Sequence, residues 1–196
     1  MLILDSVTVF PPEARGRAAI AASHGGVYAA YLAAKAGIKA VILCDAGVGR
    51  ERAGIGGLNY FDRLGVPSAA IGHRSARIGH GADCAQRGVI TFANARAAAL
   101  GIAPGMPARE ALAHLERADL PPCPAPPPIE ETRHRLTEAE APGVRVHAID
   151  SAGLVKPEDE GHIVATGSAS RPRPSVTARH ALATAPTVSR AGGSRT

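Results

Sequence analysis

"IKAVILCDAGVGRERAGIGG", residues 38–57, decides the fold. Ala40 to Cys44 are all apolar, and a short uninterrupted apolar run marks a strand buried on both faces, as inside a parallel sheet. Asp45 and the glycines at 47 and 49 then turn the chain. On the N-terminal side, "VYAAYLAAKAG" (27–37) has helix-forming composition and closes with Gly37, a good C-terminal stop. On the other side, "LNYFDRLG" (58–65) predicts a helix and "VPSAAIGH" (66–73) the next strand. Further out, "LILDSVTV" (2–9) and "RAAIAAS" (17–23) read as short strands separated by Pro11 and Pro12. "GVITFANARAAALG" (88–101) combines a strand with a helix that Asn94 can cap, and "MPAREALAHLERA" (106–118) is a last helix with Pro107 near its first turn. Strands alternating with helices predict an α/β domain over residues 1–118, a compact three-layer (αβα) arrangement around a mainly parallel sheet. With three Phe, three Tyr and no Trp, the core must be built from Ala, Val, Ile and Leu.

Beyond that domain the composition changes. Six prolines fall within 121–128, so residues 119–142 are expected to be a semi-rigid, extended linker. Residues 143–168 then resemble the chain's own opening. At one fixed offset Asp5 meets Asp150, Ser6 meets Ser151, Pro12-Glu13 meets Pro157-Glu158, Gly16 meets Gly161 and Ser23 meets Ser168. The likeness stops where "SHGG" is answered by "SASR", and an incomplete second copy of the domain's opening is expected. Residues 169–196 are rich in Ala, Arg, Ser, Thr, Pro and Gly and are expected to be a disordered basic tail, as a shift of reading frame would leave.

The net charge of +5 belongs to that tail. It carries Arg171, Arg173, Arg179, Arg190 and Arg195 and no acid, which leaves residues 1–168 neutral. The surplus of cations that a nucleic-acid face requires is absent from the domain. Cys44, Cys84 and Cys123 are odd in number and widely spaced, against a disulfide framework or structural zinc. No apolar run approaches the roughly 18–20 residues that span a bilayer, and the start lacks the features of a signal peptide. A cytoplasmic protein without nucleic-acid or membrane partners is expected.

In a parallel sheet, ligands gather at the carboxyl ends of the strands. Two loops stand out there: Ser23-His24-Gly25-Gly26, and Cys44-Asp45 with Gly47 and Gly49. His24 is the candidate general base, with Asp45 as its orienting partner and Ser23 or Cys44 as candidate nucleophile. Gly25 and Gly26, opening a helix, are candidate oxyanion donors through their backbone N–H groups. The bland alternatives are that Ser23 caps the helix, Gly-Gly makes the turn and Cys44 is a small buried apolar residue. A third loop, "GHRSARIGHGADCAQRG" (72–88), offers Arg74 and Arg77 as anchors for an anion. Its His73, His80 and Asp83 follow no specific metal-ligand spacing, so neither metal nor cofactor is assigned. "AGVGRERAGIGG" lacks both Gly-Lys-Ser/Thr and the GxGxxG spacing of nucleotide-binding loops.

The order strand–His24-Gly25, helix, strand–Cys44, glycine-rich turn resembles a reduced version of the Cys/His pairing in caspase-fold hydrolases. The acidic residue here follows the cysteine instead of preceding it, and the chain is not assigned to that family. The expected function is a small metabolic enzyme, a hydrolase or acyl-transfer enzyme for a polar or anionic metabolite, with a homo-oligomer as an option. The alternatives are a non-catalytic ligand-binding or assembly domain, or an inactive remnant of a tandem-domain protein.

Overall fold

The computed structural model describes residues 1–129, 131–138, 143–150 and 154–166. Ser151, Ser168, residues 139–142 and the tail 169–196 lie outside the described residues. The chain divides into two compact units, Met1–Ile129 and Glu130–Thr196.

The first unit holds a five-stranded sheet in sequential order: β1 (Leu2–Leu4), β2 (Ala18–His24), β3 (Ala40–Cys44), β4 (Ser68–Ile71) and β5 (Ile90–Ala93). The first four run parallel and β5 is antiparallel to β4, so the sheet is mostly parallel. The connections carry α1 (Val27–Lys35) between β2 and β3, α2 (Gly56–Leu64) between β3 and β4, and α3 (Gly81–Arg87) between β4 and β5. After β5 follow α4 (Ala95–Ala99) and α5 (Ala108–Arg117).

All five residues of β3 are buried, as its apolar run predicts. Alternate side chains of a strand point to opposite faces. Val41 and Leu43 accordingly join Ala30 and Ala33 of α1 and Phe61 of α2 in one apolar cluster. Ile42 and Cys44 join Cys84 of α3 and Leu112 and Leu115 of α5 in another. Each buried Val, Leu or Ile adds roughly 1.5–3 kcal/mol, which lets a core poor in aromatic residues hold. Asn94 caps α4 by accepting the Ala97 N–H, and its other bonds tie Ser68 N–H and the Val66 carbonyl to the same amide.

Three expectations change. The opening strand stops at Leu4, because Asp5 accepts the Gly81 N–H at 2.7 Å and Ser6 caps a 3-10 turn at Val7–Val9. The helix after β3 begins two residues early, at Gly56. The proline-rich stretch is extended but packs against the first unit: Cys123 is buried, its N–H donates to the Ile38 carbonyl at 2.9 Å, and Leu120 and Ile129 lie on the core. The compact unit therefore runs to Ile129 instead of 118.

The loop after β3 is conformationally unusual. Ala46, Val48, Glu51 and Arg52 all have left-handed φ, from 49° to 67°. Left-handed backbone costs an L-residue roughly 1–2 kcal/mol, whereas the freedom that glycine loses on folding costs about 0.5–1 kcal/mol. Glu51 is exposed, and its ion pair to Arg50 is equally solvated. Glu51→Gly is expected to raise stability by roughly 0.5 kcal/mol, read as a higher urea midpoint. A lower midpoint would show the strain to be absent.

The second unit is a three-stranded sheet ordered β6 (Arg133–Glu138), β7 (Arg145–Ile149), β8 (Ile163–Thr166). β6 lies antiparallel to β7, and β7 parallel to β8. Buried Asp159 is held by the forked guanidinium of Arg133, whose hydrogen bonds lower the carboxyl to about 2. The β7–β8 register pairs His147 with Val164, Ala148 with Ala165 and Ile149 with Thr166; β1–β2 pairs Leu2 with Ala19, Ile3 with Ile20 and Leu4 with Ala21. The connections also correspond: 3-10 turns at Pro12–Ala14 and Pro157–Asp159 are each followed by a left-handed glycine, Gly16 or Gly161.

Candidate functional site

β3 and β4 lie side by side, with Cys44 opposite Ile71, so the residues that follow each strand meet at one end of the sheet. The Asp45 N–H donates to the Ile71 carbonyl at 2.8 Å, which turns its side chain toward the start of the next loop. The Asp45 carboxylate is buried, and one of its oxygens accepts from the Gly47 N–H, the His73 N–H and the His73 ring Nδ1, each at 2.9 Å. The other accepts from the Thr91 hydroxyl at 3.1 Å. Burial alone would raise this carboxyl. The hydrogen bonds from Gly47, His73 and Thr91 outweigh it and hold the group below the usual carboxylate range.

An ionised carboxylate needs a donor, so it fixes the His73 proton on Nδ1 and leaves the Nε2 lone pair free. The imidazole is half exposed and lines a pocket of about 720 Å³ together with Cys44, Gly47, Arg74, Arg77 and Arg87. Gly72 makes the approach of the loops feasible: a Cβ there would meet Thr91 Cγ2 at 2.6 Å and the Asp45 carboxylate at 3.8 Å. Asp83, on α3, accepts from both Arg77 and Arg87 and is held far below the usual carboxylate range, chiefly by Arg87. The Arg87 guanidinium is held by Asp83 and the Arg77 Nε lies 3.4 Å from that carboxylate, and all three arginines lining the pocket remain exposed.

His24 stands elsewhere in the hydrogen-bond network. Its Nδ1 accepts the Gly26 N–H at 3.1 Å, and burial lowers its pKa. β2 and β4 both flank β3, but the Asp45 backbone continues along β4, which brings the His73 imidazole onto its carboxylate, while the His24 ring takes the Gly26 N–H. Gly25 and Gly26 also differ from their expected role as oxyanion donors. The Gly25 N–H donates to the Cys44 carbonyl at 2.7 Å, and the Gly26 N–H is taken by His24. Both glycines serve close packing: a Cβ on Gly25 would lie 2.8 Å from the Gly54 carbonyl, and one on Gly26 would lie 2.8 Å from the His24 ring.

Ser23 caps neither α1 nor a catalytic pair. Its hydroxyl accepts the Val7 N–H at 3.0 Å, and α1 starts at Val27 after an N-cap, Gly26, that has no side chain to cap it. The Gly49 N–H donates to the Gly47 carbonyl within the turn. Cys44 is buried with its sulfur 3.6 Å from that of Cys84. His80 caps α3 and Asp83 binds arginines, so neither stands with His73 as a ligand set, and no metal-binding group of three appears among the described residues.

Thr91 carries no sequence signal as a site residue, and nothing singles out His73, Cys84 or Arg87 within the 72–88 loop. His73 has one available signal, its position just past a strand and a glycine, but only the path of Asp45 along β4 makes it Asp45's partner. The chain matches no protein-family model, no curated protein and no solved structure.

Proposed function

We propose that the first unit, a three-layer αβα domain, binds a small anionic metabolite at the carboxyl ends of β3 and β4 and acts on it by hydrolytic or acyl-transfer chemistry. The observation that carries this reading is the Asp45–His73 hydrogen bond at the wall of a pocket rimmed by Arg74, Arg77 and Arg87. A buried carboxylate that orients an imidazole through Nδ1 turns its Nε2 toward the pocket as a general base. His73 takes the role first given to His24, with Asp45 still as orienter. The exposed guanidiniums supply the anion contacts, since Asp83 neutralises part but not all of their charge.

Thermal denaturation with small carboxylates, phosphates and amides tests the binding step. An anion held at about a hundred times its Kd adds about 2.7 kcal/mol to stability, so one class of anion is expected to raise the Tm. Arg74→Ala/Arg77→Ala should abolish that rise. His73→Ala should keep binding and lose turnover of whichever anion binds. If no anion raises the wild-type Tm above that of the arginine double variant, the reading fails.

A second reading, a tandem-domain protein whose residues 143–168 are an incomplete second copy, is favoured by the shared register of β1–β2 and β7–β8. On that reading a cytoplasmic setting and assembly with further copies are proposals of equal standing, and the non-catalytic role is the one to which failure of the anion test leads.

A further inference from the structure

Three cysteines are described, and the fold sorts them unequally. Cys44 ends β3 and Cys84 sits in α3, and both belong to the apolar cluster that includes α5. Their sulfurs are 3.6 Å apart, although the residues are 40 positions apart in the chain. Cys123 belongs to the other cluster, with α1 and α2, and its thiol donates to the Pro124 carbonyl. Cys44 also lines the pocket, whereas Cys84 is fully buried behind it. One cysteine thus lies at the pocket wall, the sulfur of a second is in contact with its own, and the third belongs to a different apolar cluster.

We propose that Cys44 and Cys84 form a dithiol that hydrogen peroxide, or another small hydroperoxide entering the pocket, converts to an intramolecular disulfide. The Cys44 sulfur attacks one peroxide oxygen, the O–O bond breaks, and the sulfur becomes a sulfenic acid as water leaves. Cys84 then attacks the sulfenic sulfur, and the S–O bond breaks. Its hydroxide departs as water with the remaining thiol proton. Two thiols and one hydrogen peroxide give one disulfide and two waters, and another hydroperoxide gives one water and its alcohol, the peroxide being the two-electron oxidant in each case.

The local chemistry suits the second step. The hydrogen bond from Cys44 lowers Cys84, and the same contact, with burial and nearby Asp45, raises Cys44. The buried, raised Cys44 thiol makes the first step the slow one, and the short distance between the sulfurs favours the second. Bond formation requires the sulfurs to close to about 2.05 Å, which draws α3 toward β3. Residues around Cys84 then shift: its thiol donates to the Arg77 carbonyl, and neighbouring Asp83 holds Arg77 and Arg87. Oxidation is therefore expected to change anion binding. That last clause rests on the proposed pocket function; the disulfide itself does not.

The test treats the native full chain with millimolar hydrogen peroxide, then denatures, alkylates and digests it with trypsin without reductant. Peptides 40–50 and 78–87 should appear linked, two hydrogens lighter than their sum, and separate on reduction. Free thiol should be lost at Cys44 and Cys84 while Cys123 remains alkylated. The same oxidation in urea should lose this selectivity. In Cys84→Ser, dimedone should label Cys44. Alkylation of both cysteines after peroxide, sulfinic acid without a bridge, or a bridge to Cys123 would each overturn the proposal. Wild-type mapping decides the matter even if the variant fails to fold. Linkage without any change in anion-dependent Tm would leave the dithiol standing and remove only its coupling to the pocket.

Discussion

Asp45→Ala is expected to destabilise the first unit by about 3–5 kcal/mol. The substitution removes a buried carboxylate and strands the donors it satisfies: the N–H groups of Gly47 and His73 and the hydroxyl of Thr91. Thr91 has a fallback in the Ala70 carbonyl at 3.2 Å, and the His73 ring can turn to water, so the two backbone groups dominate the loss. Asp45→Asn, which keeps one acceptor oxygen, should cost about half as much. Urea unfolding at neutral pH measures both. The pH dependence adds a check with a definite sign. Because the folded carboxyl is held below its ordinary value of 3.8, its contribution is complete above that value. It disappears as pH falls through the lower folded pKa. The gap between wild type and Asp45→Asn should therefore narrow in acid. A gap that is constant with pH would mean that the ionised form is not what the site stabilises.

Gly54→Ala is the second large effect. An added Cβ would stand 2.4 Å from the Asp45 carbonyl and 3.0 Å from that of Val48. Both contacts are backbone atoms of the loop that presents Asp45, so no side chain can rotate aside. The Gly54 N–H also donates to the Val48 carbonyl at 2.8 Å, which pins the two segments together. Overpacking of this kind costs about 1–3 kcal/mol, and a loss near the top of that range is expected. Gly56→Ala is the internal control. Its Cβ would meet only Val27 Cγ2 at 3.3 Å, at the start of α2, where alanine is favoured by about 1 kcal/mol. Urea midpoints should fall for Gly54→Ala and hold or rise for Gly56→Ala. Equal falls would show that glycine at both sites serves chain freedom and not close approach.

Much of the first unit can be read from composition and period. The apolar run at 40–44, the alanine-rich helix closed at Gly37 and the cap at Asn94 appear in the structure where their chemistry places them. The candidate site was half legible. Asp45 announces itself as a charge directly after a buried strand, but its partner depends on which of the two strands flanking β3 its backbone follows. In the sequence His24 and His73 both stand where an apolar run gives way to a turn, so nothing local separates them. The proline-rich segment misleads for a related reason: proline forbids helix and ladder bonding, yet leaves Cys123 and Ile129 free to bury against a core.

The sequence by itself determines an α/β domain with a mostly parallel sheet, because side-chain period and helix stops are properties of neighbouring residues. It also identifies Asp45 and the 72–88 loop as chemically equipped. Only the tertiary structure decides that Asp45 holds His73, that Gly25 and Gly26 are spent on packing and internal bonds, and that Cys44 touches Cys84. Hydrogen bonds and sulfur contacts reach only a few ångströms, so residues 28 and 40 positions apart meet only when strand order brings their elements together.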